Sequence, residues 1–203
     1  MHLLAENPIE DIGLGEIARD AGVSLPELRA TFGSPLAVLA AHVRQIDIEV
    51  LSGEDRDAAE ESPRERLFDV LMRRIELLEP HKDAVRSLLR SCRRDPLLAL
   101  ALNSLAIRSQ QWMLTAADIP AHGPPGALRA QALALLFASV LRVWVNDDDP
   151  GHARTMAALD RALARGQRWS GFLAGLCRIP QCLGRGRRRR DRDDETGEEA
   201  VAV

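Results

Sequence analysis

Apolar residues recur at intervals of three and four along most of the chain, which is the spacing that places them on one face of an α-helix. Capping signals divide this pattern into segments: Ser24, Ser34 and Ser62 each stand shortly before a proline that suits the first turn of a helix, and Gly22 suits the end of one. We predict helices over residues 14–21, 25–31, 35–51, 63–78, 81–93, 96–117, 127–145 and 151–165, with a further amphipathic stretch over 169–183.

The composition agrees with helices throughout. The 203 residues include 30 Leu and 29 Ala but only 11 Val, 9 Ile and no Tyr. Leucine and alanine are strong helix formers, whereas strands favour β-branched and aromatic residues. We therefore predict an all-α protein.

Several functional classes find no support in the sequence. The three cysteines form no CxxC pair, the first residues lack the features of a secretory leader, and the longest apolar run, 132–141, is shorter than the ~20 residues of a membrane span. Nucleophile motifs, phosphate-binding loops and HExxH are missing. Asp147, Asp148 and Asp149 fit a helix cap better than a metal site. We expect a cytoplasmic protein that is not an enzyme and needs no metal or cofactor.

The net charge of −3 hides large regional differences. Residues 1–50 contain three arginines and eight acidic residues, a local charge of −5, whereas the chain ends in a basic block, RGRRRR, followed by an acidic one. Separated blocks of charge without apolar periodicity are typical of disorder, which we expect from about Gly184 onward.

Residues 15–32, GEIARDAGVSLPELRATF, form the most specific local motif. The pattern predicts two short helices joined at Gly22, with Val23 filling the gap between them and with Leu28 and Phe32 anchoring the second helix. This is a helix-turn-helix, whose second helix can lie in the major groove of DNA. The outward positions of that helix are Leu25, Pro26, Arg29, Ala30 and Thr31.

The run IARDAGVS, followed by Leu28, Phe32 and a capped helix at Ser34, resembles the TetR family of transcriptional regulators. The resemblance implies a three-helix DNA-binding head followed by a larger helical body that binds a small apolar effector and forms a homodimer. The protein would then bind operator DNA as a dimer. The expected DNA-contacting residues are Ser24, Leu25, Pro26, Arg29, Thr31 and Ser34.

The resemblance also implies a division of the chain. The head would occupy residues 1–50, the effector-binding and dimerisation domain 51–177, and a charged tail 178–203. Helices 127–145 and 151–165 would pair with their copies in a four-helix bundle. Residues of this kind more often form plain hydrophobic core. Those expected along the effector cavity are Phe68, Met72, Arg108, Trp112 and Met113.

A second interpretation remains open. The sequence has Arg29 where the family usually has Tyr and Pro35 where it usually has Lys, and only MHLLAE stands in place of a longer first helix. The stretch WVNDDDPGHARTMAALDRALARGQRW, residues 144–169, also resembles the TetR-fold lipid-binding protein that assists ubiquinone biosynthesis and is not known to bind DNA. An apolar face beside RGRRRR would then dock on a membrane. That face consists of Trp169, Phe172, Leu173 and Leu176.

Overall fold

The computed structural model describes residues 1–53 and 61–166, and within these ranges the chain forms helices and no strand. The predicted all-α class is therefore confirmed. The helices are α1 (His2–Glu6), α2 (Leu14–Asp20), α3 (Leu25–Thr31), α4 (Pro35–Ser52), α5 (Pro63–Leu78), α6 (Lys82–Arg94), α7 (Pro96–Ala116), α8 (Gly123–Trp144) and α9 (153–166), with 3-10 turns at Ile9–Asp11 and Glu79–His81.

Serine caps explain why several helices begin where the sequence predicts. The hydroxyl oxygen of Ser24 accepts a hydrogen bond from the backbone N–H of Glu27, and Ser62 does the same with Glu65, both at 3.4 Å. In each pair the glutamate carboxylate accepts in return from the backbone N–H of the serine. This reciprocal arrangement satisfies two N–H groups that a helix start leaves unpaired. Helices α3 and α5 consequently have the predicted bounds.

Two helix starts differ from the prediction. Helix α8 begins at Gly123 rather than near residue 127, because Pro124 and Pro125 fit its first turn. In that turn the backbone N–H that a proline lacks would have no partner within the helix. Gly126 lies so close to the preceding loop that a Cβ atom there would stand 2.2 Å from the carbonyl carbon of Ala121. Helix α9 begins at residue 153, after a turn in which His152 has a φ of 52°.

Two hydrophobic clusters hold the described helices together. The larger one joins α4, α5, α7, α8 and α9 around the fully buried Leu71, Met113, Trp144 and Leu159. A smaller cluster joins α1, the first 3-10 turn, α4 and α6. Residues 1–163 thus form one compact unit, in which α1 packs closely against α6.

The aspartates between α8 and α9 act as helix caps. The buried carboxylate of Asp147 accepts hydrogen bonds from the N–H of Thr155 at 2.9 Å and from its hydroxyl at 2.6 Å. Asp149 accepts from the N–H of Ala153 at 3.1 Å. Capping, the preferred interpretation, is confirmed for Asp147 and Asp149.

We expect Asp147→Asn to lower the stability of the protein by about 1 kcal/mol at pH 7, the usual cost of a weakened cap. The hydrogen bonds from Thr155 lower the pKa of the Asp147 carboxyl below its ordinary value of 3.8. A depressed pKa contributes stability above the unfolded-state value, and this stability is lost as the pH falls toward the folded-state value. Thermal unfolding should therefore show a constant difference between the two proteins from pH 7 to pH 5, narrowing below about pH 4. A difference that widens in acid would contradict this role.

Candidate functional site

The turn between α2 and α3 has the geometry that a helix-turn-helix requires. Gly22 has a φ of +67°, and two hydrogen bonds close α2, from the N–H of Val23 to the carbonyl of Ala18 and from the N–H of Gly22 to that of Arg19. This is a Schellman motif, which requires the left-handed conformation that glycine adopts without strain. Val23 is 41% exposed, so the prediction that it fills the gap between the helices is wrong. Its backbone makes the turn while its side chain faces solvent.

Helix α3 presents one face to the protein and another to solvent. Leu28 is buried, whereas Leu25, an apolar residue, is 53% exposed. The other outward candidates, Ser24, Pro26, Arg29 and Thr31, are also exposed, and Ser34 is half-buried at the start of α4.

Glu27 changes the chemistry at the start of α3. Its carboxylate accepts hydrogen bonds from the hydroxyl of Ser24 at 2.6 Å and from the N–H of Ser24 at 2.8 Å. These bonds lower the pKa of Glu27, so a negative charge stands where the helix would otherwise attract a phosphate. The spacing Ser-x-x-Glu is the sequence signal that reveals this residue. Ser34 differs, because its hydroxyl accepts from Ala37 at 3.1 Å and its hydroxyl hydrogen remains available.

A buried ion pair connects α4 to the body. Asp47 of α4 and Arg74 of α5 form a salt bridge, and both side chains are less than 10% exposed. Asp47 also accepts a hydrogen bond from Ser109 of α7 at 2.8 Å. Arg74 lies 3.9 Å from the sulfur of Met113 and 5.8 Å from the ring centre of Phe137. One of the eight acidic charges within residues 1–50 is therefore neutralised inside the protein.

The helix that packs against α1 is basic. Helix α6 contains Lys82 and four arginines against one aspartate. Lys82 donates to the carbonyl of Asp147 at 2.7 Å, and Arg86 donates to the carbonyl of Val145, so both cations stabilise the C-terminal end of α8. Arg90 is exposed. The acidic head therefore has a basic neighbour that regional charge counts do not reveal.

A groove of about 360 Å³ lies where the end of α3, the part of α4 between residues 37 and 47, and α7 meet. Its lining combines residues that we expected to have two different roles. Thr31 belongs to the DNA-contacting set, and Arg108 and Trp112 belong to the effector set. Trp112 is 57% exposed. We refer to this feature as the α4–α7 groove.

The remaining effector candidates lie elsewhere. Met72 and Met113 are buried in the larger hydrophobic cluster. Phe68 packs against that cluster and lines a separate, open surface pocket beside Met156 and Asp160. The structure therefore brings two of the five candidates, Arg108 and Trp112, into one cavity and separates the other three from it.

Helix α8 is apolar on more than one face. Its inner face packs in the core, while Leu128 and Leu135, seven residues apart, are both more than 60% exposed. The helix is long and apolar enough to cross a membrane by length and composition, although the apolar run 132–141 is too short to span one by itself. A core helix that has a second apolar face can have the same composition as a membrane-spanning helix. Leu128 and Leu135 are two helical turns apart and therefore lie on one stripe of α8.

The metal and membrane candidates of the sequence analysis remain to be located. Within residues 1–53 and 61–166 no group of three or more His, Cys, Asp and Glu side chains is arranged to hold a metal ion. The membrane-facing candidates Trp169, Phe172, Leu173 and Leu176, and the tail 178–203, lie outside the described residues.

Comparison with known proteins supports the fold. No family model and no curated protein matches the sequence. Among solved structures, the chain is similar to a TetR transcriptional regulator from Rhodococcus sp. RHA1, with a TM-score of 0.56 and 23% sequence identity over 80% of this chain and 88% of that one. The protein therefore has the fold of the TetR transcriptional regulators.

Proposed function

We propose that this protein is a cytoplasmic one-component transcriptional regulator of the TetR type, which binds operator DNA as a homodimer and responds to a small apolar effector. The observation that carries the proposal is the exposed outer face of α3, held by a glycine turn on one side and a serine cap on the other. The α4–α7 groove, which contacts the end of the same helix, supports a coupling between effector and DNA.

Arg29 is the principal DNA-contacting residue in this proposal. Its guanidinium is exposed in the middle of α3, where it can donate to guanine edges or to phosphates. Leu25 offers an apolar contact for a thymine methyl group, and the hydroxyls of Thr31 and Ser34 can donate to phosphate oxygens. Glu27 opposes phosphate at the start of α3, so we expect the contacts to concentrate toward its second half.

The effector would act through the α4–α7 groove. A ligand that contacts Trp112 and Arg108 of α7 together with Thr31 and Phe32 would favour one position of α3 relative to the body. Ligand binding changes DNA affinity only as far as the ligand binds one of these positions better than the other. Two α3 helices in a dimer would then fit half-sites about one helical turn apart, or a multiple of that distance.

Replacing Arg29 by alanine tests the DNA interface. We expect the affinity for DNA from the protein's own promoter to fall about 5- to 150-fold, which corresponds to about 1–3 kcal/mol for one specific arginine contact. Fluorescence anisotropy of a labelled promoter fragment at several salt concentrations measures this change. The affinity of the wild-type protein should decrease steeply with salt, because counterions are released from phosphates.

Arg90→Ala provides the matched control, because it removes the same charge from an exposed position outside the helix-turn-helix. We expect a change of less than ~2-fold, since an exposed charge outside the DNA-contacting helix is largely screened by salt. Equal losses in the two variants would mean that only net charge matters and would refute readout by α3. A wild-type dimer that binds no promoter DNA at low salt would refute the regulator proposal as a whole.

The alternative function is a lipid-binding protein of the same fold that does not bind DNA. The negative charge of Glu27 at the start of α3 favours it, because this charge weakens a phosphate site. Sedimentation with anionic vesicles separates the two functions. Vesicle binding that requires residues 169–190, together with no binding to promoter DNA, would establish the alternative.

A further inference from the structure

A pocket of about 220 Å³ that is partly open to solvent lies in the helix-turn-helix head, apart from the α4–α7 groove; we refer to it as the head cavity. Its walls come from α1, the first 3-10 turn, α2 and α4, and most of them are aliphatic, as illustrated by Leu4, Ile12, Ile17 and Val38. Two polar side chains, Asp20 and His42, also line it. For comparison, an engineered apolar cavity of about 150 Å³ remains dry and binds benzene.

The size and the lining define the class of ligand. A cavity larger than one that holds benzene has room for a substituted ring or a short branched alkyl group. Aliphatic walls favour a neutral ligand, because a charge taken out of water without a partner is strongly disfavoured. The carboxylate of Asp20 at the wall further disfavours an anion.

His42 would supply a hydrogen-bonding partner after a rotation of its imidazole ring, because its Nε2 atom has almost no accessible surface in this structure. Its Nε2 atom is buried and has no hydrogen-bond partner within the described part of the chain, while its ring packs edge-on against His81 with 4.7 Å between the ring centres. Burial and the neighbouring His81 lower the pKa of His42, which keeps the imidazole neutral near pH 7. A nitrogen of a neutral imidazole donates a hydrogen bond when it carries the proton and accepts one when it does not. A hydroxyl group can pair with it in both cases.

We propose that this head cavity is a binding site for a small, neutral, hydroxyl-bearing hydrophobic compound such as an alkylphenol. The site contacts both Ile17 of α2 and Val38 of α4, so a bound ligand would hold the first helix of the helix-turn-helix against α4. Through the short turn at Gly22, it would also restrict α3. Binding at this site does not depend on whether the protein binds DNA.

Calorimetric titration with 4-ethylphenol tests the proposal in the wild-type full-length chain. We expect saturable binding at one site per chain and a rise in Tm, because a ligand that binds only the folded state stabilises it. The charged analogue 4-ethylbenzoate should bind at least ~10-fold more weakly, since its carboxylate would be buried without a partner. No saturable binding of 4-ethylphenol, or tighter binding of the benzoate, would overturn the proposal.

Two variants on the same helix locate the site. Val38→Phe fills the head cavity, whereas Val43→Phe places the same larger side chain in the α4–α7 groove. We expect the first to reduce 4-ethylphenol affinity at least ~10-fold and the second to leave it unchanged. The reverse result would place the ligand in the groove and overturn the head site, while leaving the proposed regulator function intact.

A folding defect in Val38→Phe would also reduce binding, so a second experiment uses the unsubstituted protein. Nuclear Overhauser contacts between the ethylphenol ring and methyl groups should identify Ile12 and Ile17, and not Leu105 of the groove. A further variant, His42→Leu, should reduce the preference for 4-ethylphenol over ethylbenzene. An unchanged preference would refute the role of His42 as the partner of the hydroxyl.

Discussion

Asp47→Ala is expected to lower the free energy of unfolding by about 3–5 kcal/mol, the usual cost of breaking a buried ion pair by removing one partner. The loss is large because Arg74 would remain charged in the core, with Phe137 and the sulfur of Met113 as its neighbours. The hydroxyl of Ser109 would also lose its acceptor. Urea unfolding followed by circular dichroism measures the change.

Two matched variants separate the charge from the volume of the side chain. Asp47→Leu combined with Arg74→Met removes both charges and keeps apolar volume, so we expect stability near that of the wild-type protein or above it. Ser109→Ala removes one hydrogen bond and should cost about 1 kcal/mol. A loss of less than ~1 kcal/mol in Asp47→Ala would show that Arg74 finds another partner or reaches water, contrary to the buried pair.

The position of this pair explains why α4 can connect the two parts of the fold. The first half of α4 packs in the smaller cluster through Leu39, whereas its second half packs in the larger cluster through Ile46 and Val50. Asp47 lies among the latter residues and binds α5 and α7 at once. We expect this polar contact of defined geometry to favour one register of α4, because a shifted register would leave the buried charges unpaired. The α4–α7 groove, which Asp47 also lines, lies beside this contact.

Local signals made some elements predictable. The bounds of α3 and α5 follow from a serine cap, an early proline and a glutamate three residues after the cap. The end of α2 follows from Gly22, because only the left-handed conformation closes that turn. Each of these signals acts over fewer than seven residues, and the sequence alone therefore reveals them.

Other features depend on contacts between distant segments. Helix α1 has five residues, which is too short to be stable alone, and its packing against α6 stabilises it. Asp47 and Arg74 are 27 positions apart, and their pairing requires the folded arrangement of α4 and α5. The only sequence signal is a charge within an apolar stripe, as Asp47 stands beside Ile46 and three residues before Val50.

The effector candidates show that helical spacing in the sequence does not distinguish a core residue from one that lines a cavity. An apolar residue at helical spacing can face a packed core or a cavity, and the spacing is the same in both cases. Met113 is fully buried, while Trp112, its neighbour in sequence, is largely exposed in the groove. The distinction depends on how tightly α7 packs against α4 and α8, which is a property of the tertiary structure.

Leu135→Glu is expected to convert a dimer into a monomer. Leu135 is 61% exposed on the outer face of α8, on the same stripe as Leu128. In the proposed dimer the symmetry axis brings two copies of this face together, so the substitution would bury two like charges without partners. We expect the dimer Kd to rise at least ~100-fold, which corresponds to about 3 kcal/mol. Light scattering coupled to size-exclusion chromatography measures the molar mass across a dilution series.

Leu100→Glu is the matched control, because Leu100 on α7 has a similar exposure of 64% and lies outside the proposed interface. It should leave the dimer intact, since a charge at a solvent-facing position requires no desolvation. The Leu135→Glu monomer should also bind promoter DNA more weakly than the dimer, because it can occupy only one half-site at a time. If Leu135→Glu remains dimeric with an unchanged Kd, or if Leu100→Glu dissociates instead, the interface lies elsewhere and the exposed stripe of α8 has another partner.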